Sequence, residues 1–240
     1  MTGSVALHGG GEFEPGDESF LRALLADAVG VAGRDPIRIA VVPTAAARGR
    51  PALAAAHGVT AFERVAVAAG RAVDADAVLV VDRASADDPK LVALLAAAHL
   101  IHLPGGDPDL IPVLFPGSAA WTAIQHAVAG GAVLAGASAG AMALAAWTWT
   151  PQGFIRGLGL APALLVAPHA DARSWDRTVK RFGHQRPAGV GVLGLAERTG
   201  VIGRPGESWR VVGEGEVRWL AAGAADPAVA RPGDDLRLDP

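Results

Sequence analysis

Hydrophobic positions along this chain fall into short apolar runs that alternate with longer, alanine-rich runs. The short runs are apolar on both faces and predict buried strands, whereas the longer runs predict helices, an alternation typical of a parallel sheet covered on both sides. Strands are predicted at Val5–His8, Ile37–Val42, Ala77–Val81, Leu100–Leu103 and Ala132–Ala137. Helices are predicted at Asp17–Val29, Pro51–Ala69, Pro89–Ala98 and Ala119–Val128. The pattern therefore predicts an α/β fold in which a mostly parallel sheet lies between two layers of helices.

Towards the C-terminus the pattern changes to an alternation of apolar and polar residues. The segment SWRVVGEGEVRWLAAG, which begins at Ser208, predicts two strands around Gly213–Glu216 and hence a C-terminal β-hairpin appended to the core. The tail over 226–240 is rich in Pro, Asp and Arg and is expected to be loosely ordered. With 240 residues and no break in composition, the chain is predicted to form one domain over 1–240.

Composition narrows the classes of partner. The formal net charge is -3, with no block of like sign, so nucleic acid and anionic membranes are not expected as partners. The absence of cysteine excludes disulfides, thiolate metal sites and cysteine nucleophiles. The N-terminus has no signal-peptide pattern and no apolar run reaches the roughly 20 residues of a membrane span, which predicts a cytoplasmic protein. Homodimers are common among enzymes of this size, although no interface pattern is evident here.

The stretch VLAGASAGAMALAAW, residues 133–147, places a small hydroxyl between glycines where a buried strand turns into a helix. A sharp strand-to-helix turn leaves no room for neighbouring side chains, which explains the small residues on either side of Ser138. Such a turn presents the hydroxyl at a helix N-terminus, where unpaired N–H groups favour developing negative charge. The stretch therefore predicts a nucleophilic serine, the alternative being a helix-capping serine among residues selected for packing.

A second element is predicted to lie beside this turn. The run Leu103–Pro108, LPGGDP, follows a buried strand, so its glycine amides lie at the carboxyl edge where open α/β sheets bind ligands. One of these amides and the N–H of Ala139 are predicted to form an oxyanion hole. The alternative is an ordinary βα turn that needs glycine for its own conformation.

A serine nucleophile requires a base, and the sequence contains seven histidines. His169 follows an apolar run and a proline, at or just beyond a strand end, and is the predicted base. His184 lies in a basic run that disfavours an imidazolium, which makes it the weaker candidate. Glu197, at the end of a small-residue strand, is the predicted orienting acid. Asp171 is the alternative, although a carboxylate two residues from His169 is better suited to a local turn.

Four of these segments together, GASAGAMAL, LPGGD, His169 ahead of a basic stretch, and GLAERTGVI, resemble the cyanophycinase and dipeptidase E family of serine hydrolases. VALHGGGEF and RIAVVPTAA are similar to the first two strands of that family, and WRVVGEGEVRWL to its closing hairpin, so the resemblance covers nearly the whole chain. It implies a flavodoxin-like, three-layer αβα fold like that of class I glutamine amidotransferases. Serine then stands where those enzymes carry cysteine.

The resemblance also implies roles for individual residues. Ser138 corresponds to the nucleophile, His169 to the base, and Gly106 with Ala139 to the amide donors of the oxyanion hole. Glu197 matches the glutamate of cyanophycinases, whereas dipeptidase E has an aspartate shortly after the nucleophile, where this chain has no acid. The chain is therefore expected to be closer to the cyanophycinase branch. It departs from that branch beside the histidine, where Ala-Pro precedes and Ala follows it.

Substrate contacts are expected from two charged residues near these elements. Arg173, Arg177 and Arg181 recur at four-residue spacing, which places them along one face of a helix. Arg173 is nearest to His169 and is expected to bind a substrate carboxylate, whereas the other two are as well explained by a solvated helix face. Asp107, in the glycine turn, is the second expected substrate-binding residue.

The expected activity is hydrolysis of a peptide or isopeptide bond in a small peptide or amino-acid-derived substrate, through an acyl-enzyme. No metal and no organic cofactor is expected. The first alternative is a small-ligand binding or regulatory protein. Such a protein would retain the sharp strand-to-helix turn at Ser138, the elbow, without useful turnover. The second is a nucleotide-binding oxidoreductase, since HGGGE follows the first strand, but its spacing does not match G-x-G-x-x-G.

Overall fold

The secondary structure is taken from a computed structural model, which describes residues 2–33, 35–177, 179 and 186–238. The strands in chain order are β1 (Val5–His8), β2 (Ile37–Val41), β3 (Val73–Ala77), β4 (Leu100–Leu103), β5 (Val133–Ala137), β6 (Ala145–Thr150), β7 (Gly153–Arg156), β8 (Ala161–Ala167), β9 (Gly191–Leu195), β10 (Thr199–Gly203), β11 (Ser208–Gly213), β12 (Val217–Leu220), β13 (Ala228–Ala230) and β14 (Asp235–Arg237). The helices are α1 (Glu18–Ala32), α2 (Pro51–Ala68), α3 (Arg83–Ala86), α4 (Pro89–Ala97), α5 (Leu110–Leu114), α6 (Ala119–Ala129) and α7 (Ala139–Leu144). A 3₁₀ turn, Thr44–Ala46, precedes α2.

Parallel strands form the centre of the first sheet. Its order is β14-β11-β10-β1-β5-β4-β2-β3, in which β1, β5, β4, β2 and β3 pair in parallel and β10, β11 and β14 extend it antiparallel. Side chains of α1 and α2 form the apolar layer on one face, and those of α4, α6 and α7 form the layer on the other. Burial on both faces explains the continuous apolar runs of the central strands. The predicted three-layer α/β architecture is confirmed.

Polar side chains at the helix starts explain where two helices on the second face begin. The hydroxyl of Ser118 accepts a hydrogen bond from the N–H of Trp121 at 3.0 Å, in the first turn of α6. The carboxylate of Asp88 accepts one from the N–H of Lys90 at 2.7 Å, and Pro89 occupies the first position of α4. Both caps satisfy amide groups that have no acceptor within the helix.

The third parallel strand lies earlier in the chain than predicted. The prediction of a strand at Ala77–Val81 is wrong, because β3 ends at Ala77. β3 lies at the edge of the sheet and is only partly buried, so it lacks the continuous apolar pattern of the inner strands. Val78 and Val80 follow it and are fully buried in the core, and the N–H of Val78 still donates to the carbonyl of Val41 in β2 at 2.9 Å. The apolar run therefore marked burial that continues beyond the end of the strand.

A second sheet packs beside the first and was not predicted. Its order is β13-β12-β9-β8-β6-β7, with β6, β8 and β9 parallel at its centre. Leu164 and Val166 of β8 join the apolar layer that contains α7. Leu165 and Val192 point to the opposite face, where they pack with Trp175. This sheet directs the carboxyl ends of β8 and β9 to the positions from which two of the candidate site residues extend.

The C-terminal strands pair differently from the predicted hairpin. β11 and β12 are both present, but β11 pairs with β10 and β14 in the first sheet, whereas β12 pairs with β9 and β13 in the second. β10 and β11 pair as consecutive antiparallel strands, and so do β12 and β13. The turn between β11 and β12 is instead bound to the start of β10, because the N–H of Gly215 donates to the hydroxyl of Thr199 at 2.7 Å. A Cβ on Gly213 would lie 2.2 Å from the carbonyl oxygen of Arg198, so the turn contacts Arg198–Thr199 closely.

The C-terminal tail contributes a strand to each sheet. β13 pairs with β12 and β14 pairs with β11, so parts of 226–240 adopt regular structure where a loosely ordered tail was expected. The single domain over 1–240 stays a prediction. Within the described part of the chain, none of the helices combines the length and the apolar character needed to cross a membrane.

A buried histidine beneath the carboxyl edge should make stability depend on pH. His102 of β4 is 1% exposed, packs against the rings of Phe13 and Phe62, and has no hydrogen-bond partner at Nδ1 among the described residues. Burial, and secondarily the charge of His8, lower the pKa of His102 to about 3 from 6.5. Between these values the unfolded chain binds a proton that the folded chain does not, so stability is lost as pH falls.

We expect the free energy of unfolding to fall by about 2 kcal/mol between pH 7 and pH 5 through this group. Urea titrations at both pH values should show that His102→Leu removes this part of the pH dependence. The control is His57→Leu, since His57 is exposed on α2 and its replacement should leave the pH dependence unchanged. An unchanged pH dependence in His102→Leu would contradict the expectation.

Candidate active site

Ser138 lies on a sharp turn between β5 and α7, as predicted. Its backbone has φ 49° and ψ -114°, a region that side-chain-bearing residues rarely adopt. The N–H of Ser138 donates to the carbonyl of His8 at 2.9 Å, which ties the turn to the end of β1. A Cβ on Gly140 would lie 2.1 Å from the carbonyl oxygen of Leu103, so only glycine allows α7 to approach β4 this closely. The residues around the serine are therefore small because the elbow leaves no space for larger side chains.

His169 extends from the end of β8 to the serine. Its Nε2 lies 3.0 Å from the Oγ of Ser138, within hydrogen-bond distance. The residue has φ 54°, and its N–H donates to the carbonyl of Gly9 at 2.8 Å. The imidazole ring lies against Gly10, where a Cβ would be only 2.2 Å from Cε1. The glycine loop after β1 therefore holds both the backbone and the ring of His169.

Glu197, which follows β9, contacts the other nitrogen of the imidazole. Its Oε1 lies 2.9 Å from the Nδ1 of His169, and both side chains are about half exposed. The next residue, Arg198, has φ 53° and donates its N–H to the carbonyl of Gly10 at 2.7 Å. The same glycine loop thus fixes the backbone beside the acid. Serine, imidazole and carboxylate form one hydrogen-bonded series at the carboxyl edge of the strands.

Asp171, the alternative acid, has a different set of partners. Its Oδ1 accepts hydrogen bonds from the N–H groups of Arg173 at 3.0 Å and of Ser174 at 2.7 Å. The bond from the Ser174 amide is the main cause that lowers the pKa of Asp171 below its usual value. Ser174 in turn donates its hydroxyl to the carbonyl of His169 at 2.9 Å. Asp171 therefore stabilises the turn that follows the histidine and does not contact the ring through these bonds.

The glycine turn after β4 lies directly against the elbow. A Cβ on Gly105 would lie 3.0 Å from the Cβ of Ser138, so the turn and the serine are in contact. The N–H of Gly105 donates to Glu12 Oε1 at 2.7 Å, and that of Asp107 donates to the carbonyl of Ala45 at 2.7 Å. These bonds engage the amides on either side of Gly106. Ala139 is the first residue of α7, a position whose N–H has no acceptor within the helix.

The two expected substrate-binding residues, Asp107 and Arg173, follow β4 and β8. The side chain of Asp107 is 45% exposed, and its Oδ2 lies 3.6 Å from an Arg48 guanidinium that bonds more closely to Asp109. That guanidinium lowers the pKa of Asp109 through its hydrogen bond. Arg173 is exposed in the turn that Asp171 caps. Of the other two arginines in the predicted series, Arg177 is exposed, whereas Arg181, like His184, lies outside the described residues.

Sequence reasoning missed the part that the loop over 9–17 has in this site. This loop was considered as part of the family resemblance and as a weak nucleotide-binding signal, yet its glycine carbonyls accept the N–H groups of His169 and Arg198. A buried pair closes its two ends, because His8 Nε2 lies 3.0 Å from Asp17 Oδ1 and both side chains are 1% exposed. Asp17 also accepts the N–H of Phe13 at 2.9 Å through its other oxygen. Two charged or titratable residues flanking a glycine run were the available signal.

Trp175 lies two residues after Arg173 and is buried. Here the indole is 5% exposed and belongs to the apolar cluster behind the second sheet. A Cβ on Gly194 would lie 2.3 Å from the ring, so β9 has a glycine where the indole packs. This residue is therefore part of the core and does not add a cation to the open edge.

Two solved structures of peptidases are similar to this chain along most of their length. The chain resembles the crystal structure of a peptidase from an acI-B1 Actinobacterium, with 27% identity and a TM-score of 0.80 over 98% of this chain and 97% of that one. It shares its fold with a putative peptidase E protein from Listeria monocytogenes EGD-e, with 14% identity and a TM-score of 0.56 over 90% of this chain and 99% of that one. No curated protein sequence matches the chain.

A family model supplies the assignment that the individual structures do not. The model of peptidase family S51 matches residues 5–207. The match runs from the first residue of β1 to the residue before β11, and it includes the elbow, the glycine turn, the histidine and the glutamate. Because most of the chain and all of the elements around Ser138 lie within that match, the chain belongs to peptidase family S51.

Proposed function

We propose that this peptidase is a serine hydrolase that cleaves a peptide or isopeptide bond through an acyl-enzyme. Ser138 is the nucleophile, His169 the general base and acid, and Glu197 the residue that orients the imidazole. The observation that carries the proposal is the series of two short contacts, 3.0 Å from Oγ to Nε2 and 2.9 Å from Nδ1 to Oε1, beginning at a serine on a strained elbow. This is the nucleophile, base and orienting-group arrangement of serine hydrolases.

In the first half of the reaction, the Ser138 oxygen attacks the substrate carbonyl carbon while Nε2 of His169 takes the hydroxyl proton. The carbonyl π pair moves to the oxygen, which becomes an oxyanion next to the N–H groups of Gly106 and Ala139. When this intermediate collapses, the C–N bond breaks and the imidazolium returns the proton to the leaving amine. Glu197 keeps the N–H of His169 at Nδ1, so that Nε2 is the nitrogen available to accept the proton.

In the second half, water attacks the ester carbon of the acyl-enzyme and transfers a proton to Nε2. The tetrahedral intermediate then releases the carboxylic acid as the Ser138 oxygen recovers that proton. Both halves use the same base and the same amide donors, so the proposal requires no further reactant than water. Removing one oxyanion donor in such enzymes costs about 10²–10³ in kcat, which gives the two amides a large share of the acceleration.

The open edge around the triad is consistent with a small peptide substrate. The imidazole and the carboxylate are each about half exposed, so the site is accessible without displacement of a buried segment. We propose that exposed Arg173 binds a substrate carboxylate and that half-exposed Asp107 binds a substrate amine. We therefore propose short, charged peptides, including α- and β-aspartyl dipeptides, as the first substrates to examine.

Fluorophosphonate labelling tests the assignment before a substrate is known. The native protein should react stoichiometrically, and peptide mapping by mass spectrometry should place the adduct on Ser138. Heat-denatured protein is the control, because it retains every serine but loses the contacts that activate one of them. A parallel screen of aspartyl dipeptides and simple esters then measures turnover. An unreactive Ser138, together with tight binding of a small ligand, would instead support a binding protein on this fold.

A further inference from the structure

The carboxylate of Glu12 contacts the glycine turn beside Ser138 and has no part in the mechanism above. Glu12 is partly buried in the loop over 9–17, and its Oε1 accepts the N–H of Gly105 at 2.7 Å. The position that a Cβ on Gly105 would occupy lies 2.9 Å from this oxygen and 3.0 Å from the Cβ of Ser138. The carboxylate and the nucleophilic residue therefore both lie against the same glycine.

Electrostatics alone disfavour a carboxylate at this place. The reaction develops negative charge on the substrate oxygen, and a second negative charge nearby raises the energy of that state. The amide of Gly105, which points at Glu12, is also withdrawn from use as an oxyanion donor. A carboxylate that raises the energy of the oxyanion must lower the energy of the reaction in some other way.

The conformation of the glycine turn suggests what that contribution is. Two successive glycines have no side chains to restrict their backbone, and Gly106 has φ 152° with a close approach to the carbonyl of Ala45. Glu12 holds the amide before Gly106, and Ala45 holds the amide after it. With both neighbours fixed, the direction of the Gly106 N–H is fixed as well.

We propose that Glu12 is a positioning residue that orients the Gly106 N–H towards the oxyanion by anchoring the amide of Gly105. This inference rests on the proposed function, because an oxyanion must form for its donor to matter. Glu12 acts through the turn, and its hydrogen-bond acceptor is the property required, whereas its charge is not. The glycine carbonyls of the same loop accept the N–H groups of His169 and of Arg198, which follows the acid. The loop over 9–17 therefore contacts the segments that carry the oxyanion donor, the base and the acid.

The test compares Glu12→Ala, which removes the acceptor, with Glu12→Gln, which keeps an acceptor oxygen and removes the charge. Glu14→Gln is the matched control, since Glu14 is an exposed glutamate of the same loop. The readouts are the second-order rate of fluorophosphonate reaction at Ser138 and kcat and KM for p-nitrophenyl acetate. We expect Glu12→Ala to lower the labelling rate and kcat by about 10–100-fold with little change in KM. Glu12→Gln should stay within about threefold of wild type, because one acceptor oxygen suffices.

The outcomes separate this inference from the proposed function. If wild-type protein is not labelled at Ser138, the proposed function fails and the inference falls with it. If wild type is labelled and Glu12→Ala reacts equally fast, only the inference fails. If Glu12→Gln loses as much as Glu12→Ala, the charge matters rather than the acceptor, which also overturns the inference. A rise in KM confined to substrates with a free amino group would assign Glu12 to substrate binding instead.

Discussion

Replacing Ser138 by alanine is expected to lower kcat for peptide hydrolysis by about 10⁴-fold or more, because the substitution removes the oxygen atom of the proposed nucleophile. The fold should survive. Alanine carries the same Cβ as serine, so the strain at φ 49° is equal in both proteins, and the lost hydroxyl contacts a half-exposed imidazole. We expect the free energy of unfolding to change by less than about 1 kcal/mol. Steady-state kinetics and urea denaturation measure the two quantities.

Ser208→Ala is the matched control for this substitution. Ser208 is exposed at the start of β11. The control should retain wild-type kcat and wild-type fluorophosphonate reactivity. Turnover by Ser138→Ala at a rate comparable to wild type, with the residual activity co-purifying with the variant, would refute the nucleophile assignment and with it the acyl-enzyme mechanism.

The parts of the site that could be predicted from the sequence are those encoded by a local pattern. Small residues at the end of an apolar run suffice to predict the elbow at Ser138, because the steric requirement arises within one turn of chain. His169 and Glu197 follow apolar runs as well, and strands that run parallel bring their carboxyl ends to one edge. Each of the three was predicted from its position after a strand.

The supporting contacts could not be predicted because they join distant segments. Gly10 contacts a ring 159 positions later along the chain's numbering, and nothing near Gly10 in the sequence specifies that partner. Glu12 meets Gly105 in the same way, across 93 positions. Sequence analysis therefore registered a glycine run with acidic neighbours but assigned it no function. A contact of this kind becomes visible only once two strand ends lie side by side.

Strand partners were unpredictable for a related reason. The alternation in SWRVVGEGEVRWL correctly indicates two strands, yet alternation specifies a buried face and says nothing about the neighbouring strand. Here the hydroxyl of Thr199 and the carbonyl of Arg198 meet the intervening turn, and the chain crosses from one sheet to the other. The edge strand β3 was misplaced because its partly exposed residues carry a weaker apolar signal than the buried valines after it.

Gly10→Ala is expected to lower kcat by about 10²–10³-fold although Gly10 carries no reacting group. A Cβ at this position would lie 2.2 Å from Cε1 and 2.9 Å from both nitrogens of the His169 ring, a separation that no side chain tolerates. The ring is the mobile end of a half-exposed side chain, so it should swing away from Ser138 and Glu197 while the fold persists. A displacement of about 1 Å in a catalytic group is enough for a loss of this size. Kinetics on the best substrate of the dipeptide screen measures it.

Backbone strain must be separated from this displacement, and Gly131→Ala provides the comparison. Gly10 has φ 110° and Gly131 has φ 113°, so alanine is equally unfavourable at both. At Gly131, however, the nearest atom to a new Cβ is 3.8 Å away, on Val31, an ordinary contact. Both variants should lose about 1–2 kcal/mol of stability from the positive φ. Only Gly10→Ala should lose activity, and equal activities would show that the glycine loop does not set the position of the imidazole.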